Sequence, residues 1–315
     1  MMTTDGRGTA PAYRRPVTSP RRVLPGTTYL VTRRCSERRF FLRPSRVVNE
    51  IFLYVLAVAA RRYGLLVHAF CVLSNHAHLV VTDPHGRLPA FMQYLDSLVA
   101  RAVNAHLGRF EGFWATDGSY SAVEPLDPGD VVAKTAYVLA NPVAAGLVRR
   151  GAEWPGLWTA PAQLAGTRLS ARRPTVFFDP KSYMPDVAEL ELTVPPGFAS
   201  AEDFRALVSE ALGDLEEKHQ RELASERRRF LGAARVLAQN PFSRPPRGEP
   251  RFALRPRIAA RDKWRRIEAI SRVKTFLREY RQAWTARRSG APNVQFPAGT
   301  YLLRIMHGVQ CAGAA

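Results

Sequence analysis

Apolar positions along the chain change period several times, and each change predicts an element. Gly26 to Arg33 is rich in β-branched residues and reads as a first strand. After Pro44, Val47, Ile51, Tyr54, Val55 and Val58 recur at helical spacing, and Gly64 ends that helix. Leu65 to Leu73 is a second strand, Ser74-Asn75 a tight connection and His76 to Thr82 a third strand. Asp83-Pro84-His85-Gly86 is a turn. A second amphipathic helix runs from about Leu88 to Leu107, with Phe91, Leu95, Leu98, Val99 and Ala102 on its apolar stripe. Tyr120 to Glu124 is a short fourth strand. This order predicts an α+β fold, a ferredoxin-like split βαβ sandwich with an antiparallel sheet and helices on one face. A further helix follows, roughly Asp130 to Leu139. Pro142 disfavours helical geometry at Asn141, so that helix should end there.

The flanking regions differ in character. Residues 1–24 read as a disordered basic arm, and 25–160 form the α+β unit. Residues 161–200 mix Pro, Ala, Arg and Gly and read as a linker or an irregular wrap. Residues 201–315 read as a basic, mainly helical region. One stripe in it is Phe204, Leu207, Val208, Ala211 and Leu215; another is Phe230, Leu231, Ala234 and Leu237. A basic helix spans roughly Arg261 to Arg288.

Charge narrows the choice of partner. Among 315 residues, 46 Lys and Arg face 27 Asp and Glu, a net charge of +19. Between Arg227 and Arg288 the ratio is 19 to 4. Such an excess favours a polyanion, because guanidinium forks match phosphate oxygens; an anionic membrane surface is the competing partner. Phe230, Phe242, Phe252, Trp264 and Phe276 interleave the cations, either as stacking platforms for a single strand or as the core of a small helical unit. The three cysteines are scattered and form no CxxC pair, which suits a reducing compartment. No secretory signal is visible, and the most apolar window, Ile51 to Ala60, is half a membrane span. A soluble, cytoplasmic protein is expected, with no membrane partner.

Candidate chemistry centres on His76-Ala77-His78. Residues i and i+2 of a strand point to one face about 7 Å apart, so two imidazoles can converge on one metal ion. The plainer reading is two polar residues at a strand end. Tyr137 and Asn141 stand at i and i+4 and share one helix face; separately, one reads as packing and the other as a helix stop.

Asn75-His76-Ala77-His78-Leu79-Val80-Val81 resembles the His-hydrophobic-His strand of single-tyrosine transposases. Tyr137-x-x-x-Asn141-Pro142-Val143-x-Ala145-Gly146-Leu147-Val148 resembles the tyrosine helix of their REP-associated branch. Gly26-x-x-Tyr29, Gly112-Phe113-Trp114 and Trp154 to Trp158 add to the resemblance, which covers about residues 24–160. Ser74 departs from the proline usual there, and Asn141 replaces the glutamine of insertion-sequence members. The resemblance implies a metal held by His76 and His78 with Asn141 as third protein ligand, magnesium by family with manganese also serving. It implies Tyr137 as the nucleophile on single-stranded or hairpin DNA, forming a 5′-phosphotyrosine. Insertion-sequence relatives work as homodimers and the REP-associated branch as monomers, and the sequence leaves both open.

Other residues have plainer roles. Tyr120 reads as core, Cys71 as a small buried hydrophobe, His68 as structural, and His85 and His106 as surface. Asp83 could reach a metal through water. Two alternatives to a strand-transfer enzyme stand: a domesticated, non-catalytic DNA-binding protein, and a metal-dependent nuclease with no covalent step.

Overall fold

The computed structural model of the chain describes residues 20–116, 119–245 and 256–313. Most of the expected N-terminal arm and Phe252 lie outside the described residues. The elements β1 (Thr27–Arg34), α1 (Arg46–Tyr63), β2 (Leu66–Leu73), β3 (His76–Asp83), α2 (Leu88–His106) and β4 (Ser121–Pro125) follow the split βαβ order. The sheet order is β2-β3-β1-β4, antiparallel throughout. The Ser45 side chain caps α1 by accepting from Val48 N, and Gly64 closes it at φ 68°, a left-handed conformation that favours glycine.

Both helices cover one face of the sheet. Ile51, Phe52, Val55, Phe91, Leu95 and Val99 pack there against Val31, Phe70, Leu79 and Val81, all buried. The opposite face is covered as well, by α3 (Pro128–Ala144) and α4 (Ala201–Ser225). From α4, Phe204 and Val208 are fully buried and Leu212 nearly so, one stripe at i, i+4 and i+8. Full burial of side chains this size contributes about 1.5–3 kcal/mol each. Leu207, expected on that stripe, is exposed instead.

The expected end of α3 near Asn141 is not observed. The helix continues through Pro142 to Ala144, and Asn141 O accepts from Ala145 N. A proline inside a helix costs about 3 kcal/mol. Tertiary packing offsets it, because Asn141, Pro142 and Val143 are all buried.

Residues 161–200 wrap the sandwich and contain a two-stranded antiparallel ribbon, β5 (Arg168–Arg172) with β6 (Val187–Glu191). Ala171, Ala188 and Leu190 from that ribbon join the core beneath α1. After α4 the chain passes α5 (Ala233–Leu237), then β7 (Ile258–Ala259), which adds a parallel strand beside β4. The long α6 (Lys263–Arg288) and short α7 (Leu302–His307) follow. The final segment returns to the N-terminal side, where Val23 N donates to Gly299 O at 3.0 Å. No helix among the described residues is long and apolar enough to cross a membrane.

His68 sits at an irregularity in β2 between Val67 and Ala69, fully buried. Its Nε2 lies 2.8 Å from Thr82 Oγ1 and its Nδ1 2.9 Å from Thr193 O. Burial pushes its pKa from 6.5 down to about 4, against the pull of the Thr193 carbonyl. The unfolded chain therefore binds the extra proton between about pH 6.5 and 4, so stability is complete above that window and falls as pH drops through it. The wild type is expected to lose up to about 3 kcal/mol more unfolding free energy than His68→Gln between neutral pH and pH 4, measured by urea titration. Parallel losses in the two proteins would contradict this role.

Candidate functional site

The register of β1 against β3 sets the site. Thr32 lies across from His78 and Arg34 across from His76, on the face covered by α3. Thr32 Oγ1 is 2.8 Å from His78 Nδ1, and Asn75 Oδ1 is 2.7 Å from His76 Nδ1. Each imidazole is thus oriented through Nδ1. The two rings stand 4.7 Å apart, nearly perpendicular. From α3, Asn141 Oδ1 reaches 3.4 Å from His76 Nε2. The Tyr137 ring meets the His78 ring edge-on at 5.7 Å. All four residues belong to one chain, and the helix–sheet packing brings them together.

Their environments differ in a useful way. His78 is buried at 4 % exposure, whereas Tyr137 is 44 % exposed. Burial, then the neighbouring His76 and Arg34 charges, hold the His78 pKa well below 6.5, with the Asn141 amide acting against them. His78 is therefore neutral at physiological pH. When Nδ1–H donates to Thr32, the lone pair falls on Nε2, which is buried with no hydrogen-bond partner among the described residues. An orphaned buried nitrogen costs about 1–3 kcal/mol. A cation is the partner that a neutral imidazole lone pair lacks, and imidazoles locked through Nδ1 are the usual form of metal-binding histidines.

The donor set is two imidazoles and one amide oxygen. No cluster of three or more His, Cys, Asp and Glu suited to a metal exists among the described residues. A site with one neutral oxygen donor and open positions suits a hard divalent ion that also takes phosphate or water oxygens, with imidazole favouring manganese over magnesium.

The remaining candidates fall outside this cluster. Tyr120 is buried under the Arg21 guanidinium, 3.8 Å from its ring centre. Cys71 lies opposite His78 on β2, in the apolar layer under α3, and burial pushes its thiol pKa up. Asp83 accepts from the backbone N–H groups of His85, Arg87 and Leu88, which fixes the turn into α2 and leaves it no role at the imidazoles. His85 and His106 are exposed.

Thr32 and Lys134 also border the site, and neither is among the candidates from the sequence. Thr32 was one of several strand threonines, and only the register singles it out. Lys134 stands one turn before Tyr137, its ammonium 5.7 Å from the phenol ring centre; the i, i+3 spacing was the available signal.

No protein-family model and no curated protein matches the chain. Among solved structures it is similar to a REP-associated tyrosine transposase bound to a REP hairpin, at 17 % identity and a TM-score of 0.38. That match covers 49 % of this chain and 85 % of the other. A transposase candidate from Deinococcus radiodurans R1 is similar at 21 % identity and a TM-score of 0.27, covering 38 % of this chain and 85 % of the other.

Proposed function

We propose that the protein cleaves and rejoins single-stranded DNA through a covalent bond between Tyr137 and a 5′-phosphate, on hairpin-forming repeats. The observation that carries this reading is the edge-on contact of the Tyr137 ring with His78 inside one chain. The half-exposed phenol is open to a strand on one side and bordered by the imidazole pair on the other. His76, His78 and Asn141 would hold a divalent ion, magnesium or manganese. Bound there, it supplies Lewis-acid polarisation of a non-bridging phosphate oxygen.

The residues then have separate tasks. Thr32 and Asn75 fix the two imidazoles. Asn141, in the same helix as Tyr137, ties the position of the phenol to that of the imidazoles. Lys134 brings a cation to the approaching phosphate. Tyr137 Oη attacks phosphorus; the Oη–P bond forms as the P–O3′ bond breaks. The phenolic proton passes to water and the departing 3′ oxygen takes one up, so protons balance. One phosphoester replaces another, and rejoining to a 3′-hydroxyl needs no nucleotide triphosphate. Because the phenol and both imidazoles come from the same chain, a monomer suffices for the cleavage step.

A labelled single-stranded hairpin incubated with magnesium or manganese is expected to give a protein–DNA adduct that survives denaturation and vanishes in Tyr137→Phe. Free 5′-phosphate ends, unaffected by that substitution, would indicate a metal nuclease instead. Binding without any adduct across varied hairpins would indicate a binding module.

Divalent ions should also raise the melting temperature of the protein alone, since a ligand of the native state stabilises it. Thr32→Val removes the hydroxyl that orients His78, so about 10- to 100-fold more manganese is expected for the same thermal shift. An unchanged metal titration would contradict the assignment.

A further inference from the structure

A cleft of about 510 Å³ opens beside Tyr137, and six of its fourteen lining residues come from the C-terminal region. This volume lies within the ~300–1,000 Å³ of small-ligand sites. Leu30 and Val123 of the sheet form one apolar side, and Ala259 of β7, in register with Pro125, packs on the same apolar layer. β7 is held in place by its parallel pairing with β4 and by the bond from Glu124 N to Arg257 O at 2.8 Å. The adjoining turn is fixed by Arg261 N donating to Asp130 Oδ1 at 2.8 Å and by the Arg265–Asp127 ion pair at 3.3 Å.

Three features of the lining point to one kind of ligand. Lys134 and Arg266 both line the cleft, and neither has a carboxylate partner among the described residues. Asp130 is 2 % exposed and lines the cleft too; its Oδ2 is buried with no hydrogen-bond partner. Unpaired cations call for an anion, the apolar walls for a flat unsaturated body, and the orphaned oxygen for an N–H donor. A nucleotide carries all three.

We infer that this cleft holds one unpaired DNA nucleotide beside the phosphate that Tyr137 attacks. Its base lies between Leu30, Val123 and Ala259 and donates an N–H to Asp130 Oδ2, while its phosphate pairs with Lys134 and Arg266. The identification of this ligand rests on the reading of Tyr137 as the nucleophile. It gives the C-terminal region a direct part in substrate selection, because β7 and the first turn of α6 complete the cleft.

The test measures binding of a short, fluorescently labelled single-stranded oligonucleotide of mixed sequence to full-length Tyr137→Phe protein, so that no chemistry contributes. Ala259→Trp, which fills the cleft, and Arg266→Ala are each expected to weaken binding about tenfold. Arg266→Ala should also reduce the salt slope by about 0.7. Arg61→Ala, an exposed cation on the α1 side of the sheet, should change affinity by less than about twofold. With a fully abasic oligonucleotide the Ala259→Trp effect should disappear and the Arg266→Ala effect remain.

The inference fails if Ala259→Trp binds like its parent, if its effect persists on the abasic strand, or if Arg266→Ala acts no more than Arg61→Ala. Should Ala259→Trp not fold, Arg266→Ala decides, since its side chain is exposed. Adduct formation by the wild type is scored separately. An adduct with unaffected cleft variants sinks only the nucleotide site, and cleft binding without an adduct sinks only the covalent step.

Discussion

The packing of α3 across the sheet face that carries His76 and His78 is the constraint on which the site depends. Neither element bears the chemistry alone. Strand β3 fixes two imidazoles on one face, and α3 fixes a phenol and an amide one turn apart; only their contact makes a cluster. That contact is stitched from several sides. Trp158 Nε1 donates to Leu139 O of α3 at 2.9 Å, while Val72 N and Thr159 N bond along the same stretch of chain to hold it beside β2. Gly151 lies so close beneath Trp158 that a Cβ would stand 2.6 Å from the indole. On the outer side α4 buries Phe204 and Val208 against the same layer. A rigid seat of this kind is what pre-organised chemistry requires.

The C-terminal region belongs to the same construction. Its first helix completes the second layer of the sandwich, its short strand extends the sheet, and its basic helix begins at the cleft. The segment around α5 reaches the other border of the site, where Ser74 Oγ bonds Gln239 Oε1 at 3.1 Å and Phe40 N bonds Ser243 O at 2.9 Å. The imidazole pair thus has parts of this region on both flanks. Its cations are divided in the same way. Arg265 is spent on fixing the turn beside Asp127, whereas Arg266, the next residue, faces the cleft.

Much of this was legible in sequence because its signals are local. The i, i+2 histidines, the i, i+4 pair on α3, the Gly64 stop and the α1 and α2 stripes each lie within a few turns of chain. What escaped the sequence depends on distant partners. Pro142 signals a helix end, but burial of Asn141 and Val143 overrides it and keeps Asn141 in helical register with Tyr137. Thr32 acquires its role from a register between strands 46 residues apart. The ribbon of β5 and β6 is too short and too charged to announce itself. Ala259 reads as one small residue after prolines and arginines, and only the pairing of β7 with β4 makes it a wall of the cleft. The interleaved aromatics likewise divide by context: Phe276 is buried within α6, while Trp264 on the same helix is 73 % exposed.

An anomalous-scattering map from crystals of the protein soaked in manganese addresses the central claim most directly. The expected result is a single strong peak within coordination distance of His76 Nε2, His78 Nε2 and Asn141 Oδ1, with the Tyr137 hydroxyl facing the open side of the ion. A peak bound by other residues, or imidazoles that ignore manganese while Tyr137 turns away from them, would contradict it.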